Sequence, residues 1–458
     1  MPTFLDFMER AMTGPIVSEH DFHRKILFPS VRKAVKEFGI EYHPEDPVPS
    51  DDQGADRLFE GAIELLAQTG VYCDPTNRII HLDRKEILDG IANVPTIGGA
   101  FGEGRDRRHF AARKPEDNTL PWFHVGTGII ASSEEIAMAQ VEGYGSIPQA
   151  SSISIPAIGR VKGMPVISGS PLEILAAISS IQAGRKALWK CGRPGLPILN
   201  LISSATTSMG TIAASYPAFG LRPSDGWLID IIAEMKVNFE TLNRLAFTLI
   251  TNGNIGSTAL PILGGYAGGP EGTALVMTAY YLVGMLLFKG VYHLTCPIHF
   301  RYGCNTTRDC LWVFSVVGRA TSRNTHYPAI ALGYSASGPC TKMYFYEAAA
   351  ANLSWVSSGY GGVQTVHPGK AVIEDGVTPA EARFNVEVAQ AITGMKAPKA
   401  SELVNHLLEK YERRVESAPQ GKRFQECYDL KTGKPLEEYA RLYEEMKEEL
   451  TRMGIPFP

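Results

Sequence analysis

The feature that most limits the fold of this chain is the alternation of short apolar runs with longer helical patterns between Trp122 and Met395. Nearly continuous apolar runs are typical of parallel strands buried on both faces, which helical crossovers connect. Roughly seven or eight such strand–helix units suit a closed (β/α)8 barrel better than an open sheet. Periodicity alone leaves both arrangements open, and the barrel is our prediction.

The units of this pattern can be assigned along the chain. The candidate strands are residues 123–129, 187–191, 245–251, 259–263, 293–300, 329–334 and 363–366. The candidate helices are residues 171–185, 225–243, 272–288, 307–322, 340–357 and 378–393. The last helix begins with Thr378, Pro379 and Glu381, which predict a capping box with proline at the first helical position.

Charged helical patterns flank the barrel on both sides. We expect residues 1–115 to form a mostly helical extension, residues 116–398 the barrel, and residues 399–458 a helical appendage that makes one structural unit with it. The glycine-rich and charged residues 98–119 predict a linker or an exposed loop.

Composition excludes several protein classes. Apolar residues make up 44% and charged residues 20%, which excludes general disorder, and the net charge of −4 gives no reason to expect nucleic acid as a partner. Residues 274–288 form the longest apolar run, short of the roughly 20 residues that span a bilayer, so we expect a buried helix and no membrane partner. The 7 cysteines form no Cys-x-x-Cys pair, and the first residues do not form a signal peptide, which favours a reducing cytoplasm.

Three sequence blocks carry a resemblance to a known family. They are LGGYAGGPEGT at 263–273, SGPCTKM at 337–343 and SAPQGKRFQECYDLKT at 417–432. With them the chain resembles the corrinoid-dependent monomethylamine methyltransferases of archaea and bacteria over essentially its whole length. The resemblance implies a TIM barrel, a homo-oligomer similar to a hexamer, and transfer of a methyl group from a small methylated amine to Co(I) of a separate corrinoid protein. The chain lacks Asp-x-His-x-x-Gly, a motif typical of cobalamin carriers, so we expect no permanently bound cofactor and a corrinoid (cobalamin) supplied by a partner.

The chain departs from this family at the residues that the family uses for chemistry. In the family, a segment similar to residues 203–215 carries pyrrolysine just before a glycine, and here Met209 precedes Gly210. Two glutamates, a glutamine and a tyrosine surround the pyrrolysine ring, and their places fall at Leu228, Thr258, Leu332 and Tyr334. Three of these four polar positions have become apolar or neutral. We therefore interpret the change as a remodelled pocket rather than a replaced amber codon.

A pocket without the pyrrolysine ring limits the methyl donor. A quaternary ammonium or sulfonium leaves as a neutral molecule, whereas an aryl methyl ether needs a general acid. We expect a cationic donor to bind against aromatic faces, either with a carboxylate displaced from the family's position or with no carboxylate. The aromatic candidates near the expected mouth are Tyr266, Tyr334, Trp355 and Tyr360. Each of them could pack in the core or form part of an aromatic cage around the donor. Met209 could likewise fill space in the core or form a soft, apolar wall of the pocket.

Other candidates for the site lie at expected strand ends, where barrel enzymes keep their working residues. His299 and Arg301 could orient the substrate or the corrin, or they could form a structural salt bridge. Glu347 is the acid we expect to be kept from the family, unless it is only a paired helix residue. We expect Gly264, Gly265, Gly268 and Gly269 to line the mouth and let a corrin approach the backbone, in preference to binding phosphate. His20-x-x-His23 and Cys304-x5-Cys310 are poor zinc spacings, so no metal site is expected.

Three hypotheses for the function remain open from the sequence. The first is a corrinoid-dependent methyltransferase for a methylated cation that works without pyrrolysine. The second is a monomethylamine methyltransferase in which Met209 stands in for pyrrolysine. The third is a non-catalytic barrel that has kept a ligand pocket.

Overall fold

The structure is a computed structural model that describes residues 2–95, 98–200 and 207–457. Within these residues the chain forms a barrel of eight parallel strands. In chain order they are β1 (Trp122–Gly126), β2 (Ser152–Ser154), β3 (Leu199–Asn200), β4 (Gly226–Ile231), β5 (Asn254–Ala259), β6 (Tyr292–Thr295), β7 (Ala329–Ala331) and β8 (Gly362–Gln364). The strands follow one another around the ring from β3 to β8, then β1 and β2. Pairing of Ile153 with Ile198 closes the ring between β2 and β3.

One helix follows each strand and covers the outside of the barrel. These helices are α1 (Glu134–Gly145), α2 (Pro171–Lys190), α3 (Ser208–Ala214), α4 (Phe239–Ile250), α5 (Pro270–Leu286), α6 (Arg308–Asn324), α7 (Lys342–Ser357) and α8 (Pro379–Ala391). The predicted (β/α)8 barrel is therefore confirmed. The predicted start of α8 is also present, because Thr378 and Glu381 form a capping box with Pro379 in the first turn.

Helices and small sheets add to the barrel. The N-terminal helices are Phe4–Thr13, Glu19–Asp21, the π-helical Phe22–Leu27, Phe28–Glu37, Asp52–Thr69 and Arg84–Ala92, and the C-terminal ones are Ala397–Tyr411, Phe424–Cys427 and Glu437–Met453. Single 3-10 turns occur at Asp74–Thr76, Gly104–Asp106, Pro217–Phe219 and Glu412–Arg414. The small paired strands are Ala100–Phe101 with Arg108–His109, Arg160–Val161 with Met164–Pro165, and Tyr428–Asp429 with Lys434–Pro435. The division of the chain at residues 115 and 398 stays a prediction.

Short strand pairs extend the barrel wall beyond the carboxyl ends of its strands. They are Ile130–Ala131 with Ala157–Ile158, Ile262–Leu263 with Ile298–His299, and Tyr334–Ser335 with His367–Pro368. We call this end of the barrel the mouth. A strand of the N-terminal extension, Val71–Cys73, pairs with Arg78–Ile80 on one side and with Lys236–Val237 of the loop after β4 on the other. The extension therefore helps to hold the mouth.

The opposite end of the barrel is closed by residues that we expected to form a linker or an exposed loop. Phe101 and Phe110 are buried. The Phe101 ring lies 5.5 Å from the ring of Tyr292, and the Phe110 ring lies 5.0 Å from that of Trp122. The guanidinium of Arg113 donates to the carbonyl of Thr119 within this segment and to the carbonyls of Val356 and Tyr360 before β8. Residues 98–119 are therefore part of the packed barrel, which corrects the prediction.

Three of the predicted elements were wrong. Residues 187–191 belong to the end of α2, and residues 245–251 lie almost entirely in α4. Residues 225–243 were predicted as one helix, but they contain β4, a tight turn and the start of α4. In β4 the apolar side chains of both faces are buried, so its sequence has the apolar density of a buried helix. The apolar run 274–288 is the buried α5, as predicted, and no described helix is long and apolar enough to cross a membrane.

Candidate active site at the barrel mouth

Two glycines show which side chains face the inside of the barrel. A Cβ added to Gly256 would lie 2.1 Å from the Tyr292 ring, and one added to Gly226 would lie 2.6 Å from its hydroxyl. Tyr292 therefore fills the barrel axis beside β4 and β5. Because alternate residues of a strand share a face, Leu228 and Asp230 on β4 and Thr258 on β5 also point inward.

The same end of the barrel receives the other residues predicted for the pocket. Leu294 on β6 is paired with Thr258 on one side and with Ile330 on the other. Leu332 and Tyr334 continue the inward face of Ile330. Asn305 fixes this segment, because its Oδ1 accepts from the Tyr334 amide at 2.7 Å and its Nδ2 donates to the Leu332 carbonyl at 3.1 Å. The structure thus brings Leu228, Thr258, Leu332 and Tyr334 to one end and one face of the barrel.

Sequence reasoning missed a carboxylate that lies among these residues. Asp230 is the direct partner of Thr258 in the parallel pairing of β4 and β5. Its side chain is 39% exposed, and its Oδ2 lies 3.9 Å from Nη1 of Arg244 on α4. Burial raises the pKa of Asp230 to about 6 against the lowering effect of the Arg244 charge. Burial raises the pKa of Tyr334, and the negative charge of Asp230 adds to this shift.

Two further groups at this end are held in their neutral forms. Cys296 follows β6 and is fully buried, and burial raises the pKa of its thiol far above the usual range. A thiol that stays protonated is a poor nucleophile. Deeper in the barrel, His124 on β1 contacts the hydroxyls of Ser152 and Ser154 at 2.8 and 2.9 Å. Burial lowers the pKa of His124 to about 3, so the ring is neutral at physiological pH.

Glu234 is a second acid at the mouth that the sequence did not suggest. It lies in the turn after β4 and is 3% exposed. Its Oε1 accepts from the Ile262 amide of the next mouth loop at 3.0 Å, and its Oε2 has no hydrogen-bond partner among the described residues. Burial raises the pKa of Glu234 to about 7. The contact with Ile262 makes Glu234 a link between the loops after β4 and β5.

Glu347, a predicted catalytic candidate, is an internal anchor in the structure. Its carboxylate is fully buried and accepts from the amides of Ala336 and Ser337 at 2.6 and 3.0 Å. The hydroxyls of Ser337 and Thr306 donate to the same carboxylate. Burial raises the pKa of Glu347, and these donors oppose the shift. Because both of its oxygens accept hydrogen bonds, Glu347 holds the loops after β6 and β7 together. This favours the alternative in which Glu347 is a paired helix residue rather than a catalytic acid.

Two of the predicted cage aromatics do not reach the mouth. Trp355 is fully buried on α7, where its ring lies 5.5 Å from the ring of Phe314 on α6. Tyr360 is buried just before β8, at the opposite end of that strand, and packs against Phe314 and Gly318. The expectation that they line the mouth is therefore corrected. Both belong to the packing between the outer helices and the barrel.

The remaining candidates lie on the loops around the mouth. Tyr266 is partly exposed, and its ring stacks on His23 at 4.3 Å. Nε2 of His299 lies 3.6 Å from Oδ2 of Asp309, and its ring packs at a tilt against Tyr302. Arg301 is exposed and pairs with Glu416. These contacts favour the salt-bridge alternative for Arg301.

The predicted glycines also lie at the mouth. Gly264 and Gly268 have φ of +92° and +82°, which only glycine adopts without strain, and the amide of Gly264 donates to the Gly268 carbonyl at 2.8 Å. Gly265 completes the turn between them, and Gly269 caps α5. The location agrees with the prediction, and a role towards corrin stays a prediction.

Met209 lies in the first turn of α3 and is 52% exposed. It is the second residue of this helix rather than part of a barrel strand. Residues 203–206 of the segment that carried the prediction lie outside the described residues.

Comparison with known proteins agrees with this architecture. The family model described as monomethylamine methyltransferase MtmB matches residues 3–455. Monomethylamine methyltransferase MtmB of Methanosarcina mazei is 31% identical, and MtmB1 of Methanosarcina barkeri is 30% identical, each match covering 99% of this chain and 98% of the relative. The crystal structure of the Methanosarcina barkeri enzyme superposes with a TM-score of 0.95 at 29% identity, covering 99% of this chain and 98% of that one. A structure of the hydroxylamine MtmB complex superposes equally well. The chain belongs to the monomethylamine methyltransferase MtmB family and is a corrinoid-dependent methyltransferase.

Proposed function

We propose that this protein moves a methyl group from a quaternary ammonium, or from another activated methylated amine, to Co(I) of a separate corrinoid protein, without pyrrolysine. The observation that carries the proposal is the set of side chains at the mouth. Leu228, Thr258 and Leu332 offer no charge there, and the carboxylate of Asp230 lies beside Thr258. Such a pocket suits a donor that brings its own positive charge.

The chemistry of the transfer favours a charged donor. Co(I) gives an electron pair to the methyl carbon while the carbon–nitrogen bond breaks, so cobalt becomes Co(III) and the bonding pair stays on nitrogen. A quaternary ammonium releases a neutral tertiary amine, and no proton has to be supplied. A neutral amine would have to leave as an anion or receive a proton from a general acid. Cys296 offers no covalent alternative, because its thiol stays protonated.

The partners follow from the same proposal. The corrinoid is delivered by its own protein, which docks at the mouth and brings cobalt to the methyl carbon. We infer that the chain is a homo-oligomer and works in the cytoplasm, and its 7 cysteines, none of them in a disulfide, suit a reducing compartment.

The proposal is tested by incubating the protein with its corrinoid partner, reduced to Co(I), and a panel of donors. The panel contains monomethylamine, dimethylamine, trimethylamine, tetramethylammonium and a sulfonium. Formation of methyl-cobalt is followed by absorbance. We expect the quaternary ammonium or the sulfonium to react and monomethylamine to remain unreactive. A reaction with monomethylamine alone would refute the proposal.

The names of the relatives favour a second candidate, a true monomethylamine methyltransferase in which Met209 stands for pyrrolysine. Mass spectrometry of protein isolated from its native source decides between the two, because pyrrolysine and methionine differ in mass. A third candidate, a non-catalytic binding barrel, predicts thermal stabilisation by a donor with no methyl-cobalt formed.

A further inference from the structure

We propose that Asp230 is the binding residue that selects cationic methyl donors, by placing its carboxylate against the positive charge of the donor inside the barrel mouth. This inference rests on the proposed function, which names the donor class but not the group that recognises it. Of the two arrangements expected for a cationic donor, aromatic faces with a displaced carboxylate or with none, it selects the one with a carboxylate.

The position of Asp230 is the first support. Asp230 is the penultimate residue of β4 and faces inward on the same side as Leu228, one layer nearer the mouth. Its partner on β5 is Thr258. Tyr334 lies near enough that the negative charge of Asp230 contributes to the raised pKa of its hydroxyl. The carboxylate thus lies on the same face of the barrel wall as an aliphatic group, a hydroxyl and an aromatic ring, and an aromatic face is a surface that attracts a charged nitrogen.

The accessibility of the carboxylate is the second support. Leu228, Thr258 and Ile231 are buried, whereas 39% of the Asp230 side chain is exposed. Among these residues of the mouth, Asp230 is therefore the one whose side chain is accessible to a ligand. No described residue donates a hydrogen bond to the carboxylate oxygens, since only the main-chain carbonyl of Asp230 is engaged, by the Thr241 hydroxyl at 3.1 Å.

Among the described residues, Arg244 is the cation near Asp230, and it does not hydrogen-bond to the carboxylate. Nη1 of Arg244 lies 3.9 Å from Oδ2, which is longer than a hydrogen bond, while Nη2 of Arg244 donates to the Thr207 carbonyl at 3.0 Å. Arg244 therefore stabilises the ionised carboxylate from the side of α4 without covering it. The raised pKa of Asp230 shows that this compensation is incomplete, so a second cation on the open side is favourable.

Binding should depend on pH in a defined direction. Among the described residues, the groups near Asp230 are the guanidinium of Arg244 on α4 and Tyr334, whose pKa is raised by burial and by the Asp230 charge. Cys296 beside Tyr334 also stays neutral. The pKa of Asp230 is raised to about 6, so a cation binds above this pH and loses affinity as the pH falls through it. Glu234, in the turn after β4, has a pKa raised to about 7, and comparison with Asp230→Asn separates the two titrations.

The test measures binding of tetramethylammonium by calorimetry, with tert-butanol as a neutral ligand of similar shape, in the absence of any corrinoid protein. We expect Asp230→Asn to weaken tetramethylammonium binding by about tenfold or more and to leave tert-butanol binding unchanged. Wild-type affinity for tetramethylammonium is expected to fall below pH 6, and the variant is expected to lose this dependence. Equal affinity of both proteins for tetramethylammonium, or equal pH dependence, would overturn the proposal.

A matched control separates loss of a specific contact from loss of charge. Glu416→Gln removes one negative charge from the outside of the same end of the barrel, and we expect it to bind tetramethylammonium like the wild type. Thermal unfolding of Asp230→Asn shows whether the variant is folded, and Asp230→Glu provides a second variant that keeps the charge and should retain measurable binding. Weakened binding in Glu416→Gln equal to that in Asp230→Asn would contradict a specific site.

The outcomes also separate this inference from the proposed function. If tetramethylammonium binds through Asp230 but no methyl-cobalt forms with any donor, the function falls and the inference stands. If methyl-cobalt forms from a quaternary ammonium at the same rate in Asp230→Asn and the wild type, the function stands and the inference falls.

Discussion

The carboxyl of Glu234 should make the stability of the folded protein fall as the pH rises. Glu234 is 3% exposed, and burial raises its pKa from the ordinary value of 4.5 to about 7. The folded state therefore holds this proton at pH values where the unfolded chain has released it. The contribution of Glu234 to stability is complete below about pH 4.5 and is lost as the pH rises through 7.

The size of this effect follows from the shift in pKa. The difference between about 7 and 4.5 is about 2.5 units, and each unit corresponds to about 1.4 kcal/mol, so the loss is about 3.5 kcal/mol between acidic and alkaline pH. Glu234→Gln removes the titration but keeps an oxygen that accepts from the Ile262 amide, as Oε1 does at 3.0 Å. The variant should lie within about 1 kcal/mol of the wild type near pH 5 and be more stable above pH 8, by up to about 3.5 kcal/mol.

Chemical unfolding of the wild type and of Glu234→Gln between pH 5 and 9 measures this difference. Glu437→Gln, which alters an exposed acid at the start of the last helix, serves as the control and should follow the wild type within about 0.5 kcal/mol. A stability difference between Glu234→Gln and the wild type that stays constant with pH would refute the reasoning. A variant that is less stable than the wild type at pH 8 would refute it as well.

Three further substitutions test the roles assigned above. Glu347→Gln should lower the free energy of unfolding by about 2 kcal/mol, because the amide leaves a buried backbone N–H without an acceptor; unchanged stability in chemical unfolding would contradict the anchor. Trp355→Ala should lower it by about 3–5 kcal/mol and leave the KM for the methyl donor unchanged, whereas a raised KM would return Trp355 to the substrate site. Arg301→Ala should change the free energy of unfolding by less than about 1 kcal/mol, with methyl transfer at the wild-type rate, and lost transfer would show that its ion pair with Glu416 is not its main role.

The sequence predicted the barrel well because the strands and helices alternate with distinct apolar patterns. It failed at β4, where the buried faces of a strand give the same apolar density as a helix. It also missed β2 and β3, which have only three and two residues, too few to show a period. Local patterns define an element only when it is long enough to repeat.

The candidate site was predicted in part. Resemblance placed Leu228, Thr258, Leu332 and Tyr334, which share the inward face at the mouth. Asp230 was missed because a single acid within an apolar run has no motif, and only the pairing of β4 with β5 sets it beside Thr258.

The aromatic candidates show a further limit of the sequence. Trp355 is buried on α7 and Tyr266 is partly exposed on a mouth loop. Nothing in the local sequence separates a tryptophan that packs a helix from an aromatic residue that meets a ligand. That difference depends on which element covers the ring, and only the tertiary structure sets it.

The pairing of Val71–Cys73 with Lys236–Val237 has a consequence for how the protein is made. The N-terminal strand is synthesised long before its partner, so one of its edges stays unpaired while the first four strands of the barrel leave the ribosome. Unpaired strand edges favour association with other chains. Arg78–Ile80 covers one edge of the strand early, because it follows almost directly in the sequence. The early hairpin therefore halves the unpaired edge of the nascent chain, and the other edge stays open until the loop after β4, next to Asp230, completes the small sheet.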